Sequence, residues 1–105
     1  MYVVVARFTA KPGSEDEVAR LLAEMTPHAL SEPECHMYIV NRLVDDPAVF
    51  LLYEQYTDAA GFAAHGETEE FKRIVAGQVV PLLDGRSREI YEVVEPVSQS
   101  EVGTP

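Results

Sequence analysis

Hydrophobic positions along this chain follow two rhythms, a dense strand-like one and a helical one that recurs every three to four residues. Tyr2 to Ala10 is rich in Val and Phe and is stopped by Lys11-Pro12-Gly13, which predicts a first strand. Ser14 stands three residues before Glu17, the spacing of a capping box that satisfies the unpaired N–H groups of a helix start. Val18, Leu21, Leu22 and Met25 follow as one apolar helical stripe. Pro27 lacks an N–H and crowds the turn before it, so it is expected to bend or end this helix. Cys35 to Val44 and Val49 to Thr57 read as strands, and Asp45-Asp46-Pro47-Ala48 between them is turn chemistry, so the two form a hairpin. Asp58 is the predicted N-cap of a short helix through His65. Thr68 is the predicted cap of a longer helix whose buried stripe is Phe71, Ile74, Val75, Val79 and Leu82. Asp84-Gly85 is expected to close that helix, and Ser87 to Val94 to form the last strand.

This order, β-α-β-β-α-β, is the ferredoxin-like split βαβ pattern, an α+β fold with helices on one face of a four-stranded antiparallel sheet. Residues 1–95 are expected to form this domain, and residues 96–105, which lose periodicity, a loose tail or an arm onto a partner. A sheet with one wet face should alternate apolar and polar residues. In Val49–Tyr56, however, both parity sets (Val49, Leu51, Tyr53, Gln55 and Phe50, Leu52, Glu54, Tyr56) are mainly apolar. Half a dozen apolar side chains left in water forgo on the order of 10 kcal/mol of burial. A second identical sheet packed face to face is the economical cover, so the expected state is a homodimer, a dimeric α+β barrel.

Charge narrows the partners. The formal net charge of −10 and the scattered basic residues argue against nucleic acid. No apolar run approaches the roughly 20 residues of a membrane helix, which points away from a membrane partner. The first residues read as a strand and not as an export signal, so the expected location is cytoplasmic. Cys35, the one cysteine, is expected to be a small buried hydrophobe. His28, His36 and His65 sit on separate elements without metal-ligand spacing, so no metal is expected. There is no Gly-x-Gly-x-x-Gly, P-loop or serine nucleophile motif, so no nucleotide cofactor is indicated.

Four stretches resemble the antibiotic biosynthesis monooxygenase-like family of dimeric α+β barrels. They are Val4-Val5-Ala6-Arg7-Phe8 before Lys11-Pro12-Gly13; Glu32-Pro33-Glu34-Cys35 leading to Tyr38; Leu52-Tyr53-Glu54-Gln55-Tyr56 before Asp58; and Phe62-Ala63-Ala64-His65 before Thr68 and Phe71. The resemblance implies the same barrel and a pocket between sheet and helices in each subunit. Relatives oxidise anthrones or hydroquinones with O₂ and no metal or flavin, degrade haem, or isomerise small hydroxy-ketones. The family's Tyr-Glu-x-Trp segment ends here in Tyr56, and a second family His is replaced by Glu70. The positions matching the haem-degrading Asn, Trp and His are Ala6, His65 and Val75, which argues against haem degradation.

With that resemblance, His65 is the candidate proton acceptor, an imidazole suited to take a proton from a phenol or an activated C–H; a helix-ending surface His is the plainer reading. Tyr56 and Asn41 are the candidates to hold substrate oxygens. Tyr53 and Tyr56, three apart, point to opposite sheet faces. Tyr53 and Tyr91 are further substrate-binding candidates, with packing as the alternative. Arg42 either clamps an anionic oxygen or pairs with Asp45, Asp46 or Glu54. His36 shares the parity of Tyr38 and is read chiefly as structural. Phe8, Phe62 and Phe71 either wall a cavity or are only core. The leading reading is a cofactor-free monooxygenase acting on a small aromatic phenol, anthrone or hydroquinone with O₂. The alternatives are a ketol or lactone isomerase and a non-catalytic ligand-binding dimer.

Overall fold

The computed structural model describes residues 1–94, so the predicted tail from residue 96 lies outside the described residues. Its elements are β1 (Tyr2–Ala10), α1 (Glu15–Leu30), β2 (Cys35–Arg42), β3 (Val49–Tyr56), α2 (Ala59–Gly66), α3 (Phe71–Val79) and β4 (Leu83–Glu92), with a single 3₁₀ turn, Val80–Leu82, before β4. The sheet order is β2-β3-β1-β4, every neighbouring pair antiparallel, so the ferredoxin-like α+β fold holds. Among the described residues no helix is long and apolar enough to cross a membrane.

The pairing register sorts the side chains. Val4, Ala6 and Phe8 of β1 lie opposite Glu54, Leu52 and Phe50 of β3, and this parity faces the helices. Val18, Leu21, Leu22, Met25 and Ala29 of α1 and Ile74, Val75 and Val79 of α3 close over it. Each large apolar side chain sealed there contributes roughly 1.5–3 kcal/mol. The other parity carries Val5, Leu51 and Tyr53, half-buried, with Met37, Ile39 and Tyr91 exposed. No element of the chain covers this second apolar face among the described residues.

Local chemistry departs from the sequence pattern in several places. Ser14 is the N-cap residue of α1, but its side chain makes no cap hydrogen bond, so the capping box does not form. α1 runs through Pro27 to Leu30, because only one hydrogen bond is lost and Ala29, one turn after Met25, is anchored in the core. β2 stops at Arg42, where Leu43 N–H donates to the Val49 carbonyl at 2.9 Å and begins the turn. Asp84 and Gly85 do not end a helix. They lie in β4, which pairs with β1 from Ala10 back to Tyr2, so the long-range ladder overrides their turn character. α3 is a π-helix with i→i+5 bonds, such as Val80 N–H to the Val75 carbonyl. Val79 stands four residues after Val75 and five after Ile74, so the apolar stripe suits either helical period.

Asp58 does cap α2, its carboxylate accepting the Gly61 N–H at 2.9 Å. A Cβ on Gly61 would lie 2.8 Å from Glu34 Cβ, so α2 sits directly on the α1–β2 connection. Gly61→Ala is therefore expected to cost about 1–3 kcal/mol through overpacking, measured as a lowered denaturation midpoint at unchanged m-value.

Candidate active site

α2 delivers His65 to the centre of the molecule. Because Gly61 lets α2 lie against Glu34, the last turn of α2 comes beside Glu32, in the same connection. His65 is only 2% exposed, and its Nδ1 lies 3.0 and 2.9 Å from the two Glu32 carboxylate oxygens. A carboxylate only accepts, so Nδ1 carries a proton, and whenever the ring holds a single proton Nε2 is the atom with the lone pair. Nε2 stands 4.0 Å from Oε1 of Glu54, a buried carboxyl from the middle of β3. The Tyr56 hydroxyl donates to that same Oε1 at 2.6 Å. Burial pushes the Glu54 carboxyl above its ordinary value; the Tyr56 hydroxyl draws it partly back, as does His65 when its ring is protonated. A second anchor holds the His65 backbone: the Thr68 hydroxyl donates to the His65 carbonyl at 2.9 Å and accepts the Phe71 N–H at 3.1 Å, which joins α2 to α3.

A cavity of about 620 Å³ opens between the sheet and the helices, lined by Phe8, Tyr38, Leu52, Phe62, Phe71 and Val75 with Glu54 and His65. The rings of Phe71, Tyr56 and Tyr38 stand 5.0, 5.4 and 5.8 Å from His65. Tyr38 is 4% exposed and lines this space, and among the described residues no group hydrogen-bonds its hydroxyl. Burial, with Glu54 nearby, pushes that phenol well above its ordinary value and keeps it a donor. Among the described residues no three His, Cys, Asp or Glu side chains converge to hold a metal ion.

The sequence candidates therefore separate. His65, Phe8, Phe62 and Phe71 meet at the cavity. Tyr56 is fully buried behind it and reaches the site through Glu54. Tyr53 and Tyr91 lie on the opposite sheet face, Tyr91 paired with Val3. Asn41 also falls on that face, opposite Leu51, its amide donating to the Leu51 carbonyl at 3.1 Å. Arg42 neither reaches the cavity nor pairs with Asp45, Asp46 or Glu54. It donates to the carbonyls of Pro47 and Glu15, lies 3.3 Å from Asp16 and stacks on Phe50. The bulge between Cys35 and Met37 breaks the shared parity of His36 and Tyr38; His36 turns outward to Thr57. Cys35 is buried, and burial pushes its thiol up to about 11, so it packs as a hydrophobe. Sequence reasoning missed Glu54, Glu32, Tyr38 and the two arginines of β4, Arg86 and Arg88, which also line the cavity.

This site lies almost wholly within residues 1–77, and those residues match the family model described as antibiotic biosynthesis monooxygenase. The chain belongs to the antibiotic biosynthesis monooxygenase family. Solved structures agree. A crystal structure of an antibiotic biosynthesis monooxygenase is 27% identical with a TM-score of 0.85, over 90% of this chain and 100% of that one. SO0527 from Shewanella oneidensis is 26% identical with a TM-score of 0.80, over 86% and 87% of the two chains. PA3566 from Pseudomonas aeruginosa, 24% identical with a TM-score of 0.84 over 90% and 94%, shares the fold. No curated protein matches the chain. Within this antibiotic biosynthesis monooxygenase fold, the Glu32–His65–Glu54 row, with His65 and Glu54 buried beside an aromatic cavity, is the constellation able to move a proton.

Proposed function

We propose that this chain is a cofactor-independent monooxygenase that oxidises a small aromatic phenol, anthrone or hydroquinone with O₂, working as a homodimer. The observation that carries the reading is His65 held by Glu32 with Nε2 free beside an aromatic cavity. Family membership and the monooxygenase names of related structures support the reaction class.

For an anthrone the steps balance as follows. Nε2 of His65 takes a proton from the ring CH₂, and the Glu32 carboxylate stabilises the imidazolium. The Tyr38 hydroxyl donates to the oxygen on which negative charge develops. The electron-rich anion reduces O₂ and forms one C–O bond. Loss of the second C–H proton breaks the O–O bond, leaving a C=O group, and the departing oxygen leaves as water after taking protons from the site. One O₂ is consumed, one of its atoms enters the product, and the other leaves in water. The protein supplies desolvation, orientation and proton transfer. O₂ uptake by chelator-treated protein on a panel of anthrones and hydroquinones tests this, with labelled O₂ expected to place one atom in the product of an anthrone. Metal-dependent uptake, or none on any member of the panel, refutes it.

The uncovered apolar sheet face supports the dimer. Sedimentation equilibrium at micromolar concentration is expected to give twice the chain mass of 11.7 kDa. A folded species of single mass refutes the face-to-face barrel. A second reading, a ketol or lactone isomerase, draws on Glu54 and His65 standing 4.0 Å apart, since two such groups can carry a proton between carbons. Solvent deuterium entering a substrate without O₂ uptake favours it.

A further inference from the structure

In a chain with eight basic residues and a net charge of −10, carboxylate partners are plentiful, so unpaired arginines that face a cavity call for a reason. Arg20, Arg42, Lys72 and Arg73 all lie within ion-pair distance of Asp or Glu. Lys11 donates to the Pro81 carbonyl, and Arg7 belongs to the sheet face away from the helices. Among the described residues, Arg86 and Arg88 make neither an ion pair nor a hydrogen bond, and both line the cavity of His65. They are two apart on β4, opposite Phe8 and Ala6 of β1, which line the same cavity, so their guanidinium groups serve one opening. The Arg88 guanidinium lies 5.1 Å over the Phe62 ring, which holds it in place while leaving its N–H donors unused. The buried side of the cavity has the opposite character: Glu54 lines it beside His65, and Glu32 bonds the far side of the His65 ring.

Resting on the reading of this cavity as the substrate site, we propose that its ligand is an aromatic carboxylate, with the carboxylate gripped by Arg86 and Arg88 and the hydroxylated ring directed inward to Tyr38 and His65. The charge gradient fixes the orientation. The Glu54 carboxyl on the buried side, with Glu32 behind His65, disfavours an anionic end, while two planar guanidinium forks at the exposed side match a carboxylate bidentately. The Arg88 charge also bears on Glu54, favouring its ionised form, so the two ends belong to one electrostatic field.

The test is anaerobic calorimetric titration of the full chain with gentisic acid and with its uncharged methyl ester. The acid is expected to bind about tenfold or more tightly than the ester, a preference weakened by salt. The double variant Arg86→Gln, Arg88→Gln is expected to lose that preference by weakening the acid alone, and Arg88→Lys to keep part of it. Both residues are exposed, so the variants should fold. Equal binding of acid and ester, binding of neither, or an equal loss of both in the double variant overturns the proposal. Because binding is read without O₂, a preference for the acid with no turnover refutes the oxygenase reading and leaves this one standing. Turnover of neutral hydroquinones by the wild type together with equal binding of acid and ester does the reverse.

Discussion

Replacing His65 with Ala or Asn is expected to lower kcat/KM on any substrate this protein oxidises by about 10²–10⁴, the range for loss of a positioned general base. The ring is the one side chain in the cavity that combines a fixed tautomer with an available lone pair. Asn keeps some of the buried polar volume, so it separates a folding defect from a chemical one. Glu32→Gln is the sharper probe. Gln can still accept from Nδ1–H, so geometry is retained, but the charge that stabilises the imidazolium is gone. Its expected loss is about 10–100-fold in kcat with little change in KM, since that interaction strengthens only as the proton moves. Wild-type rates in both His65 variants would remove the imidazole from the mechanism.

The parts of the fold that the sequence displays are those governed by local periodicity. The α1 stripe, the β2–β3 hairpin and the Asp58 cap all follow from spacing within one element. The opposite orientation of Tyr53 and Tyr56 follows from the two-residue strand repeat. What spacing could not reveal was decided by contacts between distant segments. β4 begins at Leu83, four residues before the strand pattern, because pairing with β1 extends it. That extension is also what brings Arg86 onto the cavity side. Glu32 sits in a connection with no periodicity, and it meets His65 only because Gly61 lets α2 close on Glu34.

Glu54 was the legible residue that went unread. It shares parity with Phe50, Leu52 and Tyr56, so a strand buried on that face must bury a carboxyl. A charged side chain on the inward parity of an apolar strand is itself a sign of function, since such groups are seldom buried without a partner. Asn41 misled for the converse reason. A polar residue at a strand end looks available, yet its parity sets it opposite Leu51 on the face away from the cavity.

The buried carboxyl leads to the second large effect, on stability. The folded-state value of Glu54 is raised above its ordinary value, chiefly by burial. Its contribution to stability is therefore fully present below the unfolded carboxyl value of about 4.3 and is lost as pH rises through the raised folded value. Glu54→Gln removes this dependence and keeps an acceptor for the Tyr56 hydroxyl. The variant is thus expected to gain on wild type as pH rises from about 4 toward neutrality, until the curves run parallel. Tyr56→Phe acts in the opposite sense: it strips the buried carboxyl of the hydrogen bond that eases its ionisation. It is expected to cost about 1–3 kcal/mol near neutral pH and less in acid, where the protonated carboxyl needs that donor less. Denaturant unfolding of the three proteins across this range reads both effects. A Glu54→Gln curve parallel to wild type throughout would mean that Glu54 is not the group whose burial resists its charge.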